Sequence, residues 1–202
     1  MTEFLVHIVD DDDSVRDALV EMLGVLKMNA LGFASANKFL DYVTSDTAGC
    51  LVLDIRMPGI SGLELQKKLL AMGSTLPIIF ITGHADVPMA VEAIKLGAIE
   101  FIQKPFREQE LLDAIYLAMA KAKSTHDQAL ESKAYQKRLD TLSKRERQVL
   151  SYIADGHANK VIAYELDISQ RTVENHRASI LEKMQVRSTA GLIKALISTG
   201  QS

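Results

Sequence analysis

The chain has 202 residues, 48% hydrophobic and 24% charged, which excludes a disordered or collagen-like protein. Its length allows one α/β-sized domain and a smaller one, each with its own core. The net charge of −3 argues against a uniformly basic nucleic-acid binder, but residues 1–124 carry 11 Lys and Arg against 17 Asp and Glu, whereas 140–202 carry 9 against 7. The chain begins with short apolar runs at Val6–Val9, more weakly at Ala30–Phe33, then at Leu51–Leu53, Ile78–Ile81 and Ile99–Ile102. Between and after them, apolar residues recur at helical spacing: Val15 to Leu26, Leu63 to Met72, Met89 to Leu96, and Leu111 to Met119. Runs apolar on both faces, each followed by an amphipathic helix, predict a doubly wound, five-stranded parallel α/β sheet. Ligands bind such sheets at the carboxyl ends of the strands.

Neither Gly nor Pro occurs between Pro105 and Gly156, and Ala118 to Leu142 keep a rough three/four spacing. This predicts a largely helical linker over 123–139, with Ser124-Thr125-His126 as its break, between domains at 1–122 and 140–202. The linker's Ala-rich face leaves open a solvated helix or a dimer seam. Beyond Leu142 every signal is helical. Ser143 and Glu146 form a capping box opening Lys144–Ala154, and Gly156 suits the left-handed position that closes it. Asn159 is placed to cap a helix reaching Leu166, Asp167-Ile168-Ser169 to turn, Ser169 to cap a helix to Met184, and Ser188 to cap the last one, through Ile197. Four helices, the second and third joined tightly, describe a helix-turn-helix unit.

The strand ends carry the chemistry. Asp10 and Asp11 follow the first, Asp54 ends the third, Thr82 the fourth, and Lys104 with Pro105 the fifth. On one rim, three carboxylates repel unless a hard cation joins them, and Mg²⁺ takes such oxygen ligands. A carboxylate there can attack a phosphoryl group while metal and lysine neutralise its oxygens. Each residue alone has a duller use: a turn acid, a core aromatic at Phe101, a solvated lysine. Asp12 and Asp13 are first-turn acids of the helix beginning near Val15. Cys50, the only cysteine, allows no intrachain disulfide, fits a reducing cytosol, and opens a buried strand as inert packing. His7, His84, His126, His157 and His176 lack ligand spacing, so no zinc site is expected.

Val6-His7-Ile8-Val9-Asp10-Asp11, Leu53-Asp54-Ile55-Arg56-Met57-Pro58-Gly59, Ile81-Thr82-Gly83-His84 and Phe101-Ile102-Gln103-Lys104-Pro105-Phe106 resemble receiver domains in order and spacing. Leu142 to Leu150, Asn159 to Ala163, and Arg171 to Arg177 resemble LuxR-type DNA-binding domains, and the whole chain resembles the FixJ-type response regulators. The resemblance implies that Asp54 is the phosphoacceptor and that Asp11, Asp54 and the Arg56 carbonyl hold Mg²⁺, with Asp10 supporting the metal shell. It implies that Lys104 pairs with the phosphoryl group beside a Lys104–Pro105 bond of cis form, and that Thr82 and Phe101 are the switch pair. The implied core of the second domain is Val161, Ile162, Leu166, Ile168, Val173, Ile180 and Leu181.

Helix 170–184 is then expected in the major groove, with Arg171, Glu174, Asn175 and Arg177 near base edges. Lys160, Ser169, Thr172, His176 and Lys183 are expected at phosphates. The implied partners are a cognate sensor histidine kinase, promoter DNA, a second copy on phosphorylation, and RNA polymerase. The protein is expected in the cytoplasm, since its apolar runs are too short to cross a bilayer and Met1 to Asp10 lacks an export signal. No catalysis is expected beyond its own phosphorylation and slow dephosphorylation. Two rivals stand beside this reading. One is an aspartyl-phosphate phosphatase, against which Arg56 counts, because such enzymes often place a second acid two residues after the nucleophile. The other is a phosphorylation-gated adaptor that never touches DNA, which a footprint would distinguish.

Overall fold

The computed structural model describes residues 4–83 and 87–198. The chain divides into two compact units, Met1–His126 and Asp127–Ser202. In the first, β1 (Leu5–Val9), β2 (Asn29–Phe33), β3 (Cys50–Asp54), β4 (Ile78–Thr82) and β5 (Glu100–Gln103) form one sheet in the order β2-β1-β3-β4-β5. Every pairing is parallel, as the apolar runs predict. β3 and β4 are buried at each position because helices cover both faces. The edge strand β2 alternates exposed with half-buried residues up to Phe33, which is why its apolar signal is weak.

Alternate strand residues feed two cores. Leu51, Leu53 and Phe80 pack with Phe39, Leu65 and Leu69 on one face. Val52, Ile79 and Ile81 pack with Leu19, Leu23, Leu111 and Ile115 on the other. Each such side chain contributes about 1.5–3 kcal/mol by leaving water. The covering helices are α1 (Asp13–Val25), α2 (Ala36–Tyr42), α3 (Gly62–Ala71) and α4 (Val87–Lys95), followed by α5 (Glu108–Asp140). Asp12 caps α1, accepting from the N–H groups of Ser14 and Val15. α2 escapes the periodicity reading because it has only seven residues; Ser35 caps it and Phe39 anchors it.

α5 runs unbroken through Ser124, Thr125 and His126, where a break was expected. No Gly or Pro interrupts it there, so the backbone ladder costs little to continue. Its last turns contribute Tyr135 and Leu139 to the second unit's core.

That unit holds α6 (Lys144–Ala154), α7 (Asn159–Glu165), α8 (Gln170–Lys183) and α9 (Thr189–Ser198). The Ser143–Glu146 capping box forms as read, with Gly156 at φ 80° just beyond α6. Asn159 departs from expectation: it is the first helical residue of α7, and the N-cap is Ala158, without a side-chain bond. Asp167 takes φ 52° in the turn, and Ser169 caps α8 by accepting from the Thr172 N–H at 3.1 Å. Ile162, Val173 and Ile180 are fully buried, but Val161, expected in the core, is 41% exposed. It sits on the side of α7 away from Ile162 and Ala163.

Candidate functional site

The strand order reverses between β1 and β3, the switch point at whose carboxyl-end crevice sheets of this kind bind ligands. Asp54 ends β3, and Asp10 follows β1. Both carboxylates are withdrawn from water, Asp10 at 1% and Asp54 at 6% exposure. Lys104, just beyond β5, reaches both: its Nζ donates to Asp10 Oδ2 at 2.6 Å and to Asp54 Oδ1 at 3.1 Å. The Arg56 N–H donates to Asp54 Oδ2 at 2.7 Å. Residues 94 and 50 apart in sequence thus meet at one ammonium. The Lys104–Pro105 peptide is cis.

Burial pushes the Asp54 carboxyl up, the Asp10 charge adds to this, and Lys104 with the Arg56 N–H acts against it. For Lys104, burial disfavours the charge, but its bonds to Asp10 and Asp54 outweigh that and hold it above the usual lysine range. The site therefore concentrates negative charge that one lysine offsets incompletely.

Thr82 ends β4, 1% exposed, and its carbonyl accepts from the Lys104 N–H at 2.8 Å. Phe101 on β5 is half-buried, pairs in register with Phe80, and its ring lies 6.4 Å from that ring. Since Thr82 lies two residues after Phe80, Thr82 and Phe101 face the same side of the sheet. Gly62 opens α3 against the site: a Cβ there would stand 2.3 Å from the Asp54 carbonyl oxygen. Only glycine permits that approach.

Asp11 is exposed beside the crevice. Among the described residues no three His, Cys, Asp or Glu side chains converge as a cation cage. The donors expected for a cation on this rim are hard oxygens: the Asp54 carboxylate, Asp11 next along the chain from Asp10, and the carbonyl of Arg56 two residues after Asp54. A positive group already bridges Asp10 and Asp54. Such a set suits Mg²⁺, which takes one or two carboxylates and keeps several waters.

His7 and Cys50 belong to the core. His7 is fully buried among Phe33, Phe39 and Tyr42, its Nδ1 is 3.1 Å from the Cys50 carbonyl, and burial lowers its pKa. Burial pushes the Cys50 thiol up to about 12, so it stays protonated. His84, part of the fourth-strand motif, lies outside the described residues.

In the second unit, α8 presents Arg171, Glu174 and Asn175 to solvent near its amino end, and Lys160 is exposed on α7. Thr172, His176 and Arg177 are half-buried. Arg177 Nη2 donates to Thr189 Oγ1 at 3.0 Å, and the Ser169 and Thr172 hydroxyls lie 2.8 Å apart. Lys183, expected at a phosphate, also has a partner within the domain: its Nζ is 2.8 and 2.7 Å from the two oxygens of Glu146. Ser179 donates to the same carboxylate at 2.6 Å. Burial raises the Glu146 pKa, but the bonds from Lys183, Ser179 and Ser143 prevail and bring it to about 2. The capping box is visible as Ser-x-x-Glu; the Lys183 bond, 37 residues away, has no local signal.

Residues 6–116 match the response regulator receiver domain, and residues 140–196 match the luxR family of bacterial regulatory proteins. The response regulator TmoT of Ectopseudomonas mendocina is 46% identical over 192 residues, covering 95% of this chain and 87% of the relative. The transcriptional regulatory protein FixJ of Rhizobium meliloti is 45% identical over 203 residues, covering 99% and 98%. Among solved structures, the response regulator StyR aligns with a TM-score of 0.84 at 42% identity, covering 97% of this chain and 99% of StyR. Full-length FixJ from B. japonicum aligns at 0.61 and 39% identity, each chain covered completely.

Proposed function

Because the chain belongs to the FixJ-type response regulators, a receiver domain joined to a LuxR-type DNA-binding domain, we propose that Asp54 accepts a phosphoryl group from a sensor histidine kinase. The phosphorylated protein dimerises, binds promoter DNA in the cytoplasm and regulates transcription, chiefly by activating it through RNA polymerase. The receiver spans 1–122, the helical linker 123–139 and the DNA-binding domain 140–202. The observation that carries this reading is the meeting of Asp10, Asp54 and Lys104 at 2.6 and 3.1 Å in the crevice.

An Asp54 carboxylate oxygen attacks phosphorus in line, the P–N bond of the kinase phosphohistidine breaks, and the imidazole leaves. Asp11, Asp54 and the Arg56 carbonyl would hold Mg²⁺, with Asp10 supporting them, and the ion would supply positive charge to offset that on the transferring oxygens. Lys104 exchanges its contact with Asp54 Oδ1 for one with a phosphoryl oxygen. The Thr82 hydroxyl then moves to hydrogen-bond the phosphoryl group, and Phe101 turns into the space left behind. This favours a second conformation of the face built by α4 and β5, which pairs two receivers. Catalysis ends with the protein's own phosphorylation and slow dephosphorylation.

Pairing raises the effective concentration of the second DNA-binding domain on a two-fold operator. Arg171, Glu174, Asn175 and Arg177 read bases, while Lys160, Ser169, Thr172 and His176 meet phosphates. Lys183 is proposed at a phosphate as well, its 37% exposed side chain also paired with Glu146.

Incubation with labelled acetyl phosphate and Mg²⁺ tests the acceptor. Wild type incorporates acid-labile phosphate, shifts to a dimer in sedimentation and footprints promoter fragments at a stated salt concentration. Asp54→Asn does none of these on adding the donor. Equal labelling of Asp54→Asn moves the acceptor elsewhere, and a labelled monomer rejects dimerisation as the output.

A further inference from the structure

Arg16 lies on α1, yet its side chain is only 13% exposed. Nη1 donates to the backbone carbonyl of Asp10 at 2.9 Å, and Nη2 pairs with Asp13. An ion pair with Asp13 three residues away needs no burial and contributes little on a helix surface. The bond to the Asp10 carbonyl does require the arginine to fold back over the sheet.

Space for it comes from Gly32 on β2. A Cβ there would stand 2.9 Å from both Cγ and Cδ of Arg16, so any other residue must displace the arginine stem. Gly32 has no left-handed φ, so backbone freedom does not account for it. Two residues from different elements are thus fitted to each other beside the acidic turn.

The carbonyl that Arg16 holds belongs to the planar Asp10–Asp11 peptide. Fixing its oxygen fixes the plane from which the Asp11 side chain departs. The same turn is tied by the Asp10 N–H to the Phe33 carbonyl at 3.2 Å and by the Asp12 N–H to Asp10 Oδ1 at 3.0 Å. Asp11 itself is exposed, so its direction depends on that backbone.

We infer that Arg16, seated by Gly32, is a positioning residue that aims the Asp11 carboxylate at the Mg²⁺ site. The inference rests on the proposed Mg²⁺ role of Asp11, and its test separates the two. Mg²⁺ is titrated calorimetrically into unphosphorylated full-length wild type, Arg16→Ala, Gly32→Ala, the double variant and Asp11→Asn. Thermal unfolding of each is followed without metal. Arg16→Ala and Gly32→Ala each weaken Mg²⁺ binding about tenfold, the scale of an outer-shell support. The double variant binds no more weakly than Arg16→Ala, because the glycine acts through the arginine.

Wild-type affinity in Arg16→Ala, with binding lost in Asp11→Asn, overturns the inference alone. So does tighter binding, which loss of a nearby positive charge by itself would produce. If Arg16→Ala fails to fold, Gly32→Ala decides, and wild-type affinity there overturns it. Absence of Mg²⁺ binding by wild type, or undiminished binding by Asp11→Asn, overturns the underlying reading instead.

Discussion

Each unit buries carboxylate beside a lysine, Asp10 and Asp54 at Lys104 and Glu146 at Lys183, and Asp54 and Glu146 shift in opposite directions. Asp54 has one bond from Lys104 and one from the Arg56 N–H, shares its lysine with Asp10, and is pushed up. Glu146 has Lys183 to itself, adds Ser179 and the Ser143 cap, and falls to about 2. Burial opposes the charge of both, more deeply at Asp54, and the donors are fewer there. A buried carboxylate given every donor is a clamp, here tying α6 to α8. One left short of positive charge is poised for a cation or a new bond.

Breaking the clamp is the most damaging change expected. Glu146→Ala removes the reciprocal half of the α6 capping box and strands Lys183 and Ser179, lowering the second unit's stability by about 3 kcal/mol in urea unfolding. Asp54→Ala removes a carboxylate that burial opposes and leaves Lys104 with Asp10, so the first unit changes by less than about 1 kcal/mol. Comparable losses in both variants would erase the distinction.

Within α8 the same contrast separates reading from holding. Arg171→Ala weakens promoter binding by about 1–3 kcal/mol in a gel shift and leaves unfolding unchanged. Lys183→Ala chiefly lowers stability. Reversal of that pattern would make Lys183 the principal DNA contact of the two and Arg171 part of the scaffold.

The contrast also shows in pH dependence. Glu146 releases its proton more readily when folded, so its stabilisation is complete above its ordinary 4.5 and disappears as pH falls towards 2. Asp54 binds its proton more tightly when folded. Its contribution therefore favours folding at low pH and declines as pH rises from its ordinary 3.8 through the raised folded value. Urea midpoints between pH 2 and 7 should flatten at the acid end for Glu146→Gln. For Asp54→Asn they should lose the opposing slope.

Much of this was legible in the chain. The four strand-end motifs announced Asp10, Asp54, Thr82 and Lys104, because a parallel sheet sends every strand end to the same rim. Ser143, Glu146 and Gly156 announced α6, since caps act within four residues. Legibility failed where the deciding partner was distant or the element short. α2 has too few residues to show a period, and Val161 follows apolar spacing yet lies on the outer side of α7. Lys183 looks like any basic residue of a recognition helix until Glu146 is placed beside it.

By itself the sequence determined the five strands and their parallel, doubly wound sheet, the Ser143 and Ser169 caps and the acidic strand ends, all set by periodicity and local hydrogen bonding. Tertiary structure alone decided which charges share a partner: Lys104 between two aspartates, Lys183 on Glu146, Arg16 over Gly32. Those pairings join residues 16 to 94 positions apart, and only packing sets both the distance and the loss of water that give them their strength.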